Sequence, residues 1–206
     1  MLTKLKEKVQ QMLTTEAKAA HKIGLTPNTI SAIGITLAFL SALTYAEWQN
    51  RPAYILIATV LLLLSGFCDA LDGILARLYQ QTTAFGGFLD SLLDRYADAI
   101  VYVGIIVATP PLCDAIWGLA TLTGSLLVSY SRAKAEAAGI KMESIGIAER
   151  PERIIILSIA SITAICWLQA LNIGIILLAI LSNLTVLQRS IYFYKKTKET
   201  GKLAKS

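Results

Sequence analysis

Long apolar stretches alternate with short polar breaks along almost the whole chain. Runs of about 20 mostly apolar residues have the length of bilayer-crossing helices. The first runs from Thr29 to Trp48, after a helix start at Thr26-Pro27 in which proline falls in the first turn. Gln49-Asn50-Arg51-Pro52 then reads as a tight turn. The second stretch covers Ala53 to Phe67 and continues as helix to Arg77, and Tyr79 to Thr83 is a polar link. A third begins near Phe85 and stops before Pro110-Pro111. The fourth spans Asp114 to Val128 and extends as a charged helix to Gly139, followed by a loop from Ile140 to Glu149. Pro151 opens the fifth, which ends near Gln169, and the sixth runs from Asn172 to Tyr194.

The two ends differ from this pattern. In residues 1–22, Leu2, Leu5, Val9 and Leu13 fall at helical spacing against Lys4, Lys6, Lys8, Lys18 and Lys22. That describes an amphipathic helix lying on a membrane surface. It lacks the apolar core and small-residue cleavage site of a signal peptide. The expected architecture is therefore an all-α integral membrane protein, six transmembrane helices plus an N-terminal interfacial amphipathic helix. Its parts are the surface helix (1–22), the membrane domain (23–196) and a basic tail (197–206).

Composition agrees: 55% of the 206 residues are hydrophobic and mean hydropathy is +0.59. The formal net charge is +5. It gathers at the two ends and in the loop before the fifth stretch, which suits anionic lipid or anionic substrates, and no nucleic-acid motif is present. Six crossings leave both termini on one face, and the lysines and arginines follow. The N-terminus, the Arg77 link, the loop between the fourth and fifth stretches and the C-terminus hold almost all of them, whereas the opposite turns carry Arg51 and little else. The positive-inside rule then places both termini in the cytoplasm and the protein in the cytoplasmic membrane.

Against this background, Asp69, Asp72, Asp90, Asp94 and Asp98 stand out. A carboxylate at mid-membrane depth costs roughly 2.5–3.5 kcal/mol, and four unpaired ones on the order of 10 kcal/mol. Ion pairs with Arg77 and Arg95 alone would leave an excess of acid, because two arginines cannot neutralise five carboxylates. Asp69 and Asp72 are i,i+3, with Gly73 and Ala76 on the same stripe; Asp90 and Asp94 are i,i+4, with Gly86 one turn earlier. Each helix thus pairs two acids with small residues that permit close approach. Oxygen donors without partnering His or Cys suit Mg²⁺, Mn²⁺ or Ca²⁺ rather than zinc. His21 is the single histidine, and Cys68, Cys113 and Cys166 are isolated. Two such helices can hold two divalent ions for in-line displacement at phosphorus, with a free carboxylate as general base. The positive-inside orientation opens that site to the cytoplasm.

A second set of polar positions lies downstream. Gly118, Thr121, Ser125, Ser129, Arg132 and Glu136 share one face of the fourth helix, and Ser182, Thr185 and Arg189 one face of the sixth. Arg150 and Arg153 flank Pro151 at the start of the fifth, where a helix N-terminus and guanidinium groups favour phosphate. The alternative is that these basic residues only set topology or touch lipid headgroups.

The pattern Asp69-x2-Asp72-Gly73-x2-Ala76-Arg77-x8-Gly86-x3-Asp90-x3-Asp94 resembles the signature of the CDP-alcohol phosphatidyltransferases, with every position filled. The resemblance implies a CDP-linked lipid donor, CMP as leaving group and two Mg²⁺ or Mn²⁺ ions held by Asp69, Asp72, Asp90 and Asp94. Asp94 would double as the base, and Gly73, Ala76, Arg77, Gly86 and Asn28 would cradle the cytidine diphosphate. Asp98 lies outside the signature and reads as a partner of Arg95 or a support behind the ligands. SYSRAKAEA and AERPER are similar to the inositol-phosphate branch of the family, which implies Ser129, Arg132, Arg153 and Arg189, beside Arg150, around the phosphate of inositol 1-phosphate. Arg132 departs from that branch's usual lysine, exchanging a point charge for a planar fork. The resemblance also implies a homodimer. The same chemistry on glycerol 3-phosphate or serine is the near alternative. An ion transporter is remote, since transport does not need the Gly-x2-Ala-Arg spacing beside the acids.

Overall fold

Proline opens three of the long helices, where its missing N–H costs nothing and its fixed φ suits the first turn. The computed structural model describes residues 13–142 and 145–203, with side chains to residue 199, and the described residues form helices and connecting turns without a strand. A short leading helix, α1, covers residues 13–22 of that range. The long helices are α2 (Pro27–Ala46), α3 (Pro52–Leu78), α4 (Ala84–Ile106), α5 (Ala115–Ala137), α6 (Arg150–Ala164) and α7 (Gln169–Leu203). Side-chain caps start three of them: Thr26 accepts from Thr29 N, Thr83 from Gly86 N and Asp114 from Ile116 N.

The helices close into a ring. α2 packs on α3, α3 on α6, α6 on α7, α7 on α5, α5 on α4, and α4 back on α2. α3 and α4, the two helices that carry the aspartates, barely touch each other. A core of Tyr45, Ile55, Val101, Ile105, Leu157 and Leu178 fills the ring. Polar side chains bond across it: Tyr45 Oη is 2.8 Å from Ser161 Oγ, and Ser65 Oγ donates to Gly34 O at 2.8 Å. Thr121, expected beside the acceptor residues, instead donates to Ile175 O at 2.9 Å and ties α5 to α7. Ser182 and Thr185 are fully buried, and Thr185 Oγ1 accepts from Ala148 N at 3.1 Å. The outer faces carry Phe39, Leu43, Leu56, Ile57, Leu63, Ile155 and Leu177 in the open, as helices facing lipid do.

Among the described residues, three helices are long and apolar enough to cross a membrane: Pro27–Ala46, Pro52–Leu78 and Gln169–Glu199. Two boundaries differ from the sequence expectation. α6 stops at Ala164, where Ile165 and Cys166 close tight turns back to Ile162 O and Thr163 O, without a glycine or proline to announce it. α7 does not end at Tyr194 but continues to Leu203, helped by the Lys196–Glu199 pair at 2.8 Å. The start of the tail is therefore helical. Leu2, Lys4, Leu5, Lys6, Lys8 and Val9 of the surface helix lie outside the described residues. Its described end buries Ala17 and Ala20 against Ile30, Leu71 and Leu75, and stacks His21 on Tyr79 at 3.6 Å.

Candidate active site

The loose seam between α3 and α4 is where the acids meet. Asp69 and Asp72 come from the last turns of α3, Asp90 and Asp94 from the first half of α4, and all four line one small central cavity. Carboxylate oxygens of Asp69, Asp72 and Asp90 all lie within 4.8 Å of one another. Asp94 stands outside that trio, and Arg150 contacts both Asp94 and Asp69. Its Nη1 touches Asp69 Oδ2 and lies 2.6 Å from Asp94 Oδ1.

The cluster suits a hard divalent cation. Bonds of about 2.1 Å put opposite ligands of an octahedral ion about 4.2 Å apart, so small carboxylate rotations would close the trio on one. The position of Arg150 also makes plain that one positive charge can serve both Asp69 and Asp94. A partner that sequence reading missed is Ser31 on α2. Its hydroxyl donates to Asp72 Oδ2 at 2.5 Å, with Pro27 O 3.0 Å away, and Asp72 is 4% exposed. The spacing held a clue: Ser31 follows Asn28 by one helical turn, so the two share a face.

Cavities flank the acids on both sides. One, of about 200 Å³, is lined by Asn28, Gly73, Ala76, Arg77 and Gly86, together with Asp72 and Asp90. All five residues expected at the donor therefore border the same space. A Cβ on Gly73 would meet nothing nearer than Arg77 Nη1 at 3.5 Å, and one on Gly87 would meet nothing within 4 Å. Helix packing does not demand glycine at either position, so both leave open space beside the acids.

The other cavity, of about 510 Å³, is bordered by Ser129, Arg132, Arg150, Arg153 and Arg189, and reaches Asp94 and Asp98. These arginines are not equivalent. Arg132 is about half-exposed and, among the described residues, paired only with Glu136, at 2.9 Å. Arg153 is buried, with Nη2 2.7 Å from Asp98 Oδ2 and Nη1 donating to Ala148 O. Arg189, 2% exposed, donates to Val128 O, Ile145 O and Glu149, latching α7 to α5 and the loop between α5 and α6. Asp98 does not pair with Arg95, which turns to Ser91 O. It accepts from Arg150 Nε (3.2 Å), Arg153 Nη2 (2.7 Å) and Ser125 Oγ (3.2 Å). No thiol joins the acids among the described residues. Cys113, in the turn between α4 and α5, is pushed up to about 11 by burial and by Asp114, and so stays protonated.

Carboxylates able to hold a divalent ion on one side, with guanidinium groups able to hold a phosphate on the other, equip a membrane protein for phosphoryl-group transfer. The chain belongs to the CDP-alcohol phosphatidyltransferase family, whose model matches residues 24–187. It is 42% identical to archaetidylinositol phosphate synthase of Pyrococcus horikoshii over 98% of this chain and 100% of that one. Identity to the archaetidylinositol phosphate synthase of Methanothermobacter thermautotrophicus is 39%, covering 87% of this chain and 88% of the relative. Phosphatidylinositol phosphate synthase of Mycobacterium tuberculosis, solved with CDP-DAG bound, superposes with a TM-score of 0.76 at 31% identity, covering 89% of this chain and 94% of that one. The same enzyme solved with manganese and citrate gives a TM-score of 0.75, again at 31% identity, over 88% of each chain.

Proposed function

We propose that the protein transfers a phosphatidyl-type group from CDP-diacylglycerol or CDP-archaeol to a hydroxyl of inositol 1-phosphate, releasing CMP. The carrying observation is the row of cavities. Asp72 and Asp90 border both the donor-side and the central space, and Asp94 and Arg150 border both the central and the arginine-lined space. A diphosphate held on one side and a hydroxyl on the other would thus meet at the acids. The names of the relatives support the acceptor and both donor lipids.

In this reading Asn28, Gly73, Ala76, Arg77 and Gly86 hold the cytidine diphosphate, and Ser129, Arg132, Arg150, Arg153 and Arg189 surround the acceptor phosphate. Asp69, Asp72, Asp90 and Asp94 would hold two Mg²⁺ or Mn²⁺ ions. When bound, the ions offset the diphosphate charge and stabilise the departing CMP. Asp94, on the border of the acceptor space, takes the proton of the attacking hydroxyl. The hydroxyl oxygen bonds to the lipid-side phosphorus as the bond from that phosphorus to CMP breaks. Serine carries no phosphate for the arginines, whereas glycerol 3-phosphate carries one and fits the same cavity. Membranes supplied with labelled CDP-lipid and each acceptor in turn decide this. CMP release should require inositol 1-phosphate, and release driven by glycerol 3-phosphate alone would reassign the acceptor.

We further propose that α2 to α7 all cross the cytoplasmic membrane, with both termini and the acids toward the cytoplasm. The ring supports this, since α4, α5 and α6 each pack on at least one of the three apolar helices. The surface helix, membrane domain and basic tail keep the divisions 1–22, 23–196 and 197–206. The family resemblance adds a homodimer.

A further inference from the structure

Arg150 borders both the central acid cavity and the arginine-lined cavity. Its two ends are held differently. Nε donates to Asp98 Oδ1 at 3.2 Å, and Asp98 is itself fixed by Arg153 Nη2 and Ser125 Oγ. The far nitrogen, Nη1, touches Asp69 Oδ2 and lies 2.6 Å from Asp94 Oδ1, so it holds two carboxylates that a divalent ion would also need. The Nε contact uses neither of them, so a guanidinium displaced from Asp69 and Asp94 keeps Asp98 as its anchor. The space it would turn into is the cavity it already lines.

We infer that Arg150 is a tethered cation that competes with a divalent ion for Asp69 and Asp94. Displaced by the ion, it turns on Asp98 toward the phosphate of the acceptor, so that ion and acceptor bind cooperatively. The acceptor half rests on the function proposed above; the competition with the ion does not. The reason is charge. A divalent cation and a guanidinium cannot share the same two carboxylates without strong repulsion, because charge interactions are amplified where water is scarce. An anion that holds Arg150 in its turned position removes the competitor and so tightens ion binding. By linkage, the ion tightens anion binding by the same factor. A fixed structural ion pair would behave in the opposite way, since losing Arg150 would then disorder the acids and weaken the ion.

The test is Mn²⁺ binding to the purified full-length protein in detergent, read from the electron paramagnetic resonance of free Mn²⁺, with no turnover involved. Without any anion, Arg150→Gln should bind Mn²⁺ more tightly than wild type, by about fivefold or more, with Arg150→Lys between them. In wild type, saturating inositol 1-phosphate should tighten Mn²⁺ by a similar factor, and in Arg150→Gln that gain should shrink. Equal or weaker Mn²⁺ binding by a folded Arg150→Gln protein overturns the inference. Should that variant not fold, a wild-type Mn²⁺ affinity indifferent to both inositol 1-phosphate and inorganic phosphate overturns it equally. Inorganic phosphate tightening Mn²⁺ as well as inositol 1-phosphate does would support the tethered cation and count against inositol 1-phosphate as the acceptor.

Discussion

Asp94 and Arg153 sit within one turn of the same acidic seam but should fail in different ways when replaced. Asp94→Asn removes the proton acceptor and should collapse kcat in the CMP-release assay, by at least the 10²-fold typical of a general base. Asp69→Asn and Asp72→Asn should weaken Mn²⁺ binding itself, measurable without turnover, and chelation should abolish activity. Full activity in excess EDTA contradicts the metal account. Arg153→Ala removes a buried cation from Asp98, which keeps Arg150 and Ser125. Losing a charge-assisted hydrogen bond costs about 1.5–3 kcal/mol, so this variant should lose thermal stability as well as acceptor affinity. The aspartates were legible in the sequence because carboxylates in apolar helices have no inexpensive explanation. The partners of Asp98 were not. Arg150 and Arg153 lie more than 50 positions along the chain, and helical spacing constrains only neighbours within a turn or two. Arg95, the neighbour that spacing offered, turns the other way.

At the level of helices, apolar length located α2 to α5 to within a few residues. The end of α6 escaped because its reversal at Ile165 to Leu168 uses no glycine or proline, only backbone bonds that any sequence can make. α7 outran its expected end because charged residues past a membrane helix can still continue it through pairs such as Lys196–Glu199. At fifteen residues, α6 rises roughly 22 Å, less than the roughly 30 Å hydrocarbon core. Its first turn accordingly lies at the wall of the arginine-lined cavity, which brings Arg150 and Arg153 to the acids. A different contact holds α4 in place. At Gly104 the helix lies directly on the Ala42 backbone of α2, and a Cβ there would run into the Ala42 carbonyl. Backbone cannot yield as a side chain can, so Gly104→Ala should cost about 1–3 kcal/mol. A lowered melting temperature in detergent with unchanged KM values would verify it, and native stability would show that α2 and α4 can part without cost.

For the whole molecule, the ring explains how a largely apolar chain tolerates five acids: the two helices that carry them are held apart by their other neighbours and leave a seam. The proposed orientation rests on charge placement. Single cysteines introduced at Lys141 and Lys198 should label from the cytoplasmic side, and one at Asn50 from the opposite side. Labelling of Lys141 and Asn50 positions from one side contradicts six crossings. The central claim is that donor and acceptor occupy separate cavities joined at the acids, and Arg132 tests it most directly. It lines the arginine cavity and neither the central nor the donor-side one, and its one described ion pair is the half-exposed contact to Glu136, so its loss strands no buried charge. The measurement is the pair of KM values, for CDP-lipid and for inositol 1-phosphate, in Arg132→Gln. Loss of a charge-assisted bond at a half-exposed position should raise the inositol 1-phosphate KM by roughly tenfold, about 1.4 kcal/mol, and leave the CDP-lipid KM within about twofold. A raised CDP-lipid KM with an unchanged inositol 1-phosphate KM would place the arginines at the donor and contradict the account.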